Sequence, residues 1–311
     1  MEVLLLKIMK KLNLVLLFGS FLSITSVIAQ QEPHFTQYFD NMLHVNPGYA
    51  GSNDALSLTA LHREQWVGFA GRPRTSTFII HSPLAKNVGG GFSFIHDEIG
   101  PLNQTMLSGD LSYTLRFKKS KGRLSFGVKG GVNIISINSG ELQTVDASDP
   151  DLINNVRNRR LLNFGTGVYY HTPKWFIGVS SPKLLQNSYD GASTTIEQRH
   201  YFLIGGGVIK LNPSWKLRPT AHLKLTEGAP LSIDVSAAFI YLDKWWLGAM
   251  HRWQDSFGAF IQFQVQQQLR AGFAYDHTST DISNYSSGTF EVMLNYDLKF
   301  KSSGVRSPRY F

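Results

Sequence analysis

The chain has 311 residues, a formal net charge of +8 at pH 7, 13% aromatic residues and no cysteine. The lack of cysteine excludes disulfides, zinc–thiolate centres and cysteine nucleophiles. The positive excess is modest and spread along the chain, so no nucleic-acid partner is expected.

Lys7, Lys10 and Lys11 precede a nearly continuous apolar run from Leu12 to Val27, and Val27-Ile28-Ala29 offers small residues for cleavage before Gln30. This layout predicts a secretory signal peptide over residues 1–29. The run is short of the ~20 residues a spanning helix needs, and no cysteine is present for a lipid anchor. Cleavage removes three lysines and one glutamate, taking the charge from +8 to +6.

Residues 30–54 are polar and aromatic, without strand alternation, and are expected to be a periplasmic or plug segment. Residues 55–300 then alternate strand-like runs with turn signals: 55–67, 74–84, 88–97, 104–118, 122–137, 161–172, 174–181, 198–211, 214–226, 230–242, 245–253, 256–267, 269–277 and 288–300. The last is the clearest. Phe290, Val292, Leu294, Tyr296, Leu298 and Phe300 fall on one face, and Glu291, Met293, Asn295, Asp297 and Lys299 on the other.

Many of these runs exceed the ~5–6 residues of a globular strand and match the ~9–11 of a tilted spanning strand. An open sheet of this size would leave long unpaired edges, which closure removes. The expected fold is all-β: an integral outer-membrane antiparallel β-barrel of about fourteen strands with a short N-terminal non-strand segment. Trp66, Phe69, Tyr113, Tyr169, Tyr170, Trp175, Phe176, Trp215, Tyr241, Trp245, Trp246, Trp253 and Tyr275 are candidates for its interfacial girdles, where outer-membrane lipid is the partner. The dense basic cluster Arg157, Arg159 and Arg160 reads as part of a polar loop. The tail 301–311 carries Lys301, Arg306 and Arg309 and stays unassigned.

Chemistry-bearing motifs are weak. Gly89-Gly90-Gly91 and Gly205-Gly206-Gly207 lack the Lys-Ser/Thr and helix of a phosphate loop and read as packing positions. In His62-Arg63-Glu64 and His96-Asp97-Glu98, adjacent strand residues diverge, so neither triplet converges on a metal. His81 and Ser82 are the nearest approach to a hydrolase pair, but neighbours on a strand point apart. The loop from Asp146 to Asp151 lacks the spacing of a calcium loop. Asp234, Lys129 and Arg116 are read as lumen charges that either tune ion passage or pair inside the barrel. No enzyme, metal or cofactor is expected.

One set of motifs is distinctive: Gln31-Glu32-Pro33-His34-Phe35-Thr36-Gln37-Tyr38-Phe39, then Asn46-Pro47-Gly48-Tyr49-Ala50-Gly51, Arg63-Glu64-Gln65-Trp66-Val67-Gly68-Phe69 and His81-Ser82-Pro83-Leu84. Arg199-His200-Tyr201, Gly228-Ala229-Pro230-Leu231-Ser232, Trp246-Leu247-Gly248, Arg252 and Gly272-Phe273-Ala274-Tyr275-Asp276 continue it. The set resembles the PorP/SprF family of type IX secretion outer-membrane proteins of the Bacteroidota, across nearly the whole mature chain. Many members carry G-S-H-E before the last strand, where this chain has Gly288-Thr289-Phe290-Glu291, so any role of that histidine does not transfer.

The resemblance implies a non-enzymatic component that docks partners for secretion, surface attachment and gliding. Those partners are secreted adhesin C-terminal domains or periplasmic ring and peptidoglycan-binding components. The alternative is a channel for small solutes. Phe35, Gln37, Tyr38, Asn46, Pro47, Tyr49, Gly51, Arg63, Gln65 and Trp66 are the candidate partner-binding residues, and the N-terminal segment is either a docking surface or a plug.

Overall fold

The computed structural model describes residues 32–138, 156–188 and 197–298. The expected signal peptide (residues 1–29), the Asp146 to Asp151 loop and the tail 301–311 therefore lie outside the described residues. Fourteen antiparallel strands follow the chain order. The first seven are β1 (Leu56–Glu64), β2 (Arg74–Ala85), β3 (Val88–Ile99), β4 (Leu102–Arg116), β5 (Arg123–Ile137), β6 (Val156–His171) and β7 (Trp175–Ser181). After β8 (His200–Gly207, resuming as Ile209–Lys210) come β9 (Trp215–Thr226), β10 (Ser232–Tyr241), β11 (Trp245–Arg252), β12 (Ser256–Gln264), β13 (Leu269–Thr278) and β14 (Thr289–Leu298). The sheet closes where β14 pairs with β1, Leu298 opposite Leu56 and Phe290 opposite Glu64. No sheet edge remains, which lipid requires. Among the described residues no helix is long and apolar enough to cross a membrane.

Both ends of the barrel chain lie at one rim, with the short turns 86–87, 117–122, 172–174, 211–214, 242–244 and 265–268. The connections 65–73 and 279–288 lie at the other rim, where β5 and β7 also end before the long intervals to β6 and β8. Outer-membrane barrels keep short turns in the periplasm and long loops outside, which orients the molecule.

The alternation in β14 decides between a soluble sheet and a membrane wall. Val292 and Leu294 are each 50% exposed and point outward, whereas Glu291 (1%) and Met293 (0%) point inward. The same inversion holds at Phe126 and Val128 against Ser125 and Lys129, and at Phe257 and Ile261 against Ser256 and Gln262. An apolar outside and a polar inside is the pattern of a barrel in lipid. Leu294→Arg should destabilise the barrel by about 2–4 kcal/mol if the position lies near the bilayer midplane, read as a lower urea midpoint in lipid vesicles.

Three expectations are corrected. β1 ends at Glu64 rather than at 67, because Trp66 adopts a left-handed backbone (φ 53°) that leaves the strand. β6 begins at Val156 rather than 161, so Arg157, Arg159 and Arg160 belong to a strand and not to a loop. It continues there because Arg159 and Arg160 pair with Ile135 and Ile134 of β5, past the reach of the apolar alternation. Finally, Tyr169, Phe176 and Trp246 face the lumen and are buried, so they are no part of a girdle. A girdle does form at the turn rim, from Tyr170 with Trp175 (ring centroids 5.1 Å apart), Trp215 with Tyr241 (4.7 Å) and Trp245 with Phe263 (4.2 Å).

Candidate functional site: a plug fastened inside the barrel

Barrels of about eight strands fill their lumen with side chains, and wider ones leave a channel or hold a plug. Here residues 32–54 occupy the lumen, folding as a 3-10 turn (Tyr38–Asp40), a short helix α1 (Met42–Val45) and a second 3-10 turn (Pro47–Tyr49). Phe35, Tyr38, Phe39, Met42, Leu43 and Tyr49 are buried against Leu61, Ile79, Phe176, Ile204, Phe260 and Met293 of the wall. The interior is therefore a packed core made jointly by plug and barrel. Each large side chain buried in this way contributes roughly 1.5–3 kcal/mol.

Buried charges need partners, and here they fix the plug. On the inner wall Arg63 Nη2 donates to Asp276 Oδ2 (2.9 Å) and Nη1 to Glu291 Oε2 (3.2 Å). Nη1 also donates to the Thr36 hydroxyl at 2.8 Å. Glu291 in turn accepts the backbone N–H groups of Thr36 (2.9 Å) and Gln37 (2.8 Å), and the Gln37 side-chain amide (3.1 Å). One carboxylate thus satisfies three donors of the plug. Lower down, Asp40 pairs with Arg270 at 2.6 Å and accepts from Gln262. Asp234 is held by Arg252 (2.9 Å) and Lys224 (2.7 Å), and Lys224 also meets His34. Lys129 Nζ lies 3.2 Å from Asp110 and donates to the Leu43 carbonyl.

The Asn-Pro-Gly-Tyr-Ala-Gly stretch is held differently, by backbone approach. Asn46 donates its amide to the carbonyl of Val168 (3.0 Å), while its Oδ1 accepts from Gly48. Ser112 donates to the Ala50 carbonyl (2.7 Å) and Ser180 to that of Val45 (2.8 Å). The facing wall lacks side chains. A Cβ on Gly127 would overlap Pro47 and Gly48, one on Gly167 would overlap Asn46, and one on Gly89 would overlap Ala50.

At its first described residues the plug is tied by Glu32 to Lys183 (2.6 Å) and to His44 (3.5 Å). Burial pushes the Glu32 carboxyl up, but Lys183, with His200 and His44, brings it down to about 2. Burial pushes the His44 imidazole down to about 4 from 6.5, against the pull of Glu32. Both groups have folded pKa values below their free values, so both contributions are lost on acidification. That of His44 goes between pH 6.5 and about 4, and that of Glu32 between 4.5 and about 2. Amides of 42–45, corrected for intrinsic exchange, should open more readily at pH 5 than at pH 7.5, and His44→Gln should remove the difference. Equal protection at both values would contradict this arrangement.

Of the ten candidate residues, Phe35, Gln37, Tyr38, Asn46, Pro47, Tyr49 and Arg63 are buried within the lumen, and Gly51 is half-buried there. Gln65 and Trp66 are half-buried at the long-loop rim. The sequence reading gave no role to Asp276 or Arg252 and missed Glu291, Gln262 and the wall glycines as plug contacts. Charged residues on the inward face of paired strands, and small residues aligned across neighbouring strands, are the signals that point to them. His81 accepts from Gly51 N inside the barrel, whereas Ser82 lies on the opposite face, so the two do not form a hydrolase pair. Within the lumen Asp234 pairs with Lys224 and Arg252, and Lys129 with Asp110, whereas Arg116 sits exposed at the turn rim near Asp54 (3.7 Å).

These features define a class: an outer-membrane β-barrel whose lumen holds a segment of its own chain. The family model described as type IX secretion system membrane protein PorP/SprF matches residues 27–296. The chain belongs to that family, and so is an outer-membrane component of type IX secretion. No curated protein matches it. Among solved structures, similar chains include the CymD monoaromatic hydrocarbon channel, with 8% identity over 80% of this chain and 89% of that one and a TM-score of 0.48. The Ralstonia pickettii toluene transporter TbuX has 10% identity over 82% and 92%, with a TM-score of 0.45. The Acinetobacter baumannii outer membrane protein Omp33 has 9% identity over 80% and 100%, with a TM-score of 0.44.

Proposed function

We propose that this barrel works as a sealed, non-enzymatic scaffold. Protein partners of type IX secretion dock on it: C-terminal domains of secreted adhesins, or periplasmic ring and peptidoglycan-binding components, serving secretion, surface attachment and gliding. The observation that carries this reading is Glu291. A buried wall carboxylate that takes three donors of the plug makes residues 32–54 part of the fold, and on this reading the plug stays in the lumen and blocks solute passage.

Eight of the ten candidate residues support docking indirectly on this reading, by building or fastening the plug that shapes the barrel, while Gln65 and Trp66 belong to the loop 65–73. Direct contact falls to the loops. Loops 65–73 and 279–288 are joined by Val67 N–H to the Gly288 carbonyl (2.9 Å) and Ser287 N–H to the Val67 carbonyl (2.7 Å). They present Phe69 and Tyr285 (71% exposed) above the wall, aromatic groups of the kind that anchor interfaces.

The test is affinity purification of the tagged protein from gently solubilised outer membranes, with co-purifying proteins identified by mass spectrometry. Secretion components or a large exported protein support the scaffold. A preparation without protein partners that conducts ions in planar bilayers supports the solute channel instead.

A further inference from the structure

The turn rim carries an unbalanced ring of lysines. Lys86 lies in the turn after β2, Lys118, Lys119 and Lys121 in the turn after β4, and Lys174 in the turn after β6; all are exposed. Lys210 closes β8 and Lys244 lies in the turn after β10, both also exposed. None of these seven makes an ion pair among the described residues. The acids of the same rim are already engaged: Asp54 by Arg123 (2.6 Å), Asp243 by Lys216 (2.5 Å) and Asp297 by Ser57 (2.7 Å). At the opposite rim Arg72 and Arg74 face Glu64 and Glu98, and three basic residues without an ion pair among the described residues, Arg157, Arg159 and Arg160, are gathered on the single strand β6.

The ring also has a fixed height. Lys174 immediately precedes Trp175 and Lys244 precedes Trp245, both members of the girdle that marks the membrane interface. Lysine stems reach from such positions into the headgroup layer and leave the ammonium beside phosphates. Their charges are spread along the rim from β2 to β11 rather than gathered into one patch. A dispersed ring of point charges suits a layer of many small anions better than one protein surface.

We propose that this rim selects anionic phospholipid in the periplasmic leaflet, its lysines binding headgroup phosphates around most of the barrel. The test uses the full-length protein in vesicles of equal phosphatidylglycerol and phosphatidylethanolamine, extracted gently, with retained lipid identified by native mass spectrometry. The wild type should retain phosphatidylglycerol over phosphatidylethanolamine by roughly tenfold, falling toward parity in high salt. Replacing the seven lysines with Gln should abolish the preference, and replacing them with Arg should preserve it. All seven are exposed, so each variant should still show the heat-dependent gel migration of a folded barrel. Equal enrichment in wild type and Gln variant would overturn the proposal. So would a wild type without preference whose lysines instead govern capture of an acidic periplasmic protein.

Discussion

Replacing Glu291 with Ala is expected to release the first part of the plug while leaving the barrel closed. The substitution strands Arg63 with Asp276 as its only acid partner and leaves the Thr36 and Gln37 N–H groups without their acceptor. Removing one member of a buried ion pair typically costs about 3–5 kcal/mol, and the lost backbone bonds add to it. The outward face of β14 is untouched, so the barrel itself should persist. Hydrogen exchange should accelerate strongly over residues 34–40, with wall strands little changed. Glu291→Gln keeps one acceptor oxygen and should fall between. Undiminished protection in Glu291→Ala would mean that the apolar contacts of Phe35, Tyr38 and Phe39 hold the plug unaided.

Gly127→Val should have the second large effect, through shape rather than charge. Its Cβ would occupy space held by the backbone of Pro47 and Gly48, which a rotamer change cannot clear. Overpacking of this kind costs about 1–3 kcal/mol, and more where backbone must move. The 46–51 stretch should be displaced and the denaturation midpoint lowered. Gly109→Val is the matched control, since nothing lies within 4 Å of a Cβ there and the new side chain faces outward. If the two variants behave alike, the plug does not depend on backbone approach.

Much of the barrel was legible in the sequence because membrane walls impose a strict period of two. Phe290 to Leu298 shows it residue by residue, and the strand number follows from repetition of the same pattern. Legibility ended where the period ended. Beyond Leu161 toward Val156 the outward residues turn polar, so the extension carrying Arg160 looked like loop. Tyr169 and Trp246 looked like girdle because an aromatic residue on a strand has no signature of its face when both faces bear rings.

The plug was visible as a segment but not as a network. Arg63, Asp276 and Glu291 stand far apart in the chain, and only closure of β14 onto β1 and the packing of β13 beside it bring them to Thr36. Gly127 and Gly167 carry no chemical signal alone, and their meaning lies in what approaches them. Phe35, Gln37, Tyr38, Asn46, Tyr49 and Arg63 thus converge on the inside of this molecule, where they bind the chain to itself.

The account rests most directly on the lumen being sealed, and single-channel recording in planar bilayers measures that. The wild type should stay closed, while a chain lacking residues 30–54, folded by the heat-migration criterion, should show porin-like steps. Wild-type steps as large as those of the plugless barrel would contradict the account and make solute passage its function.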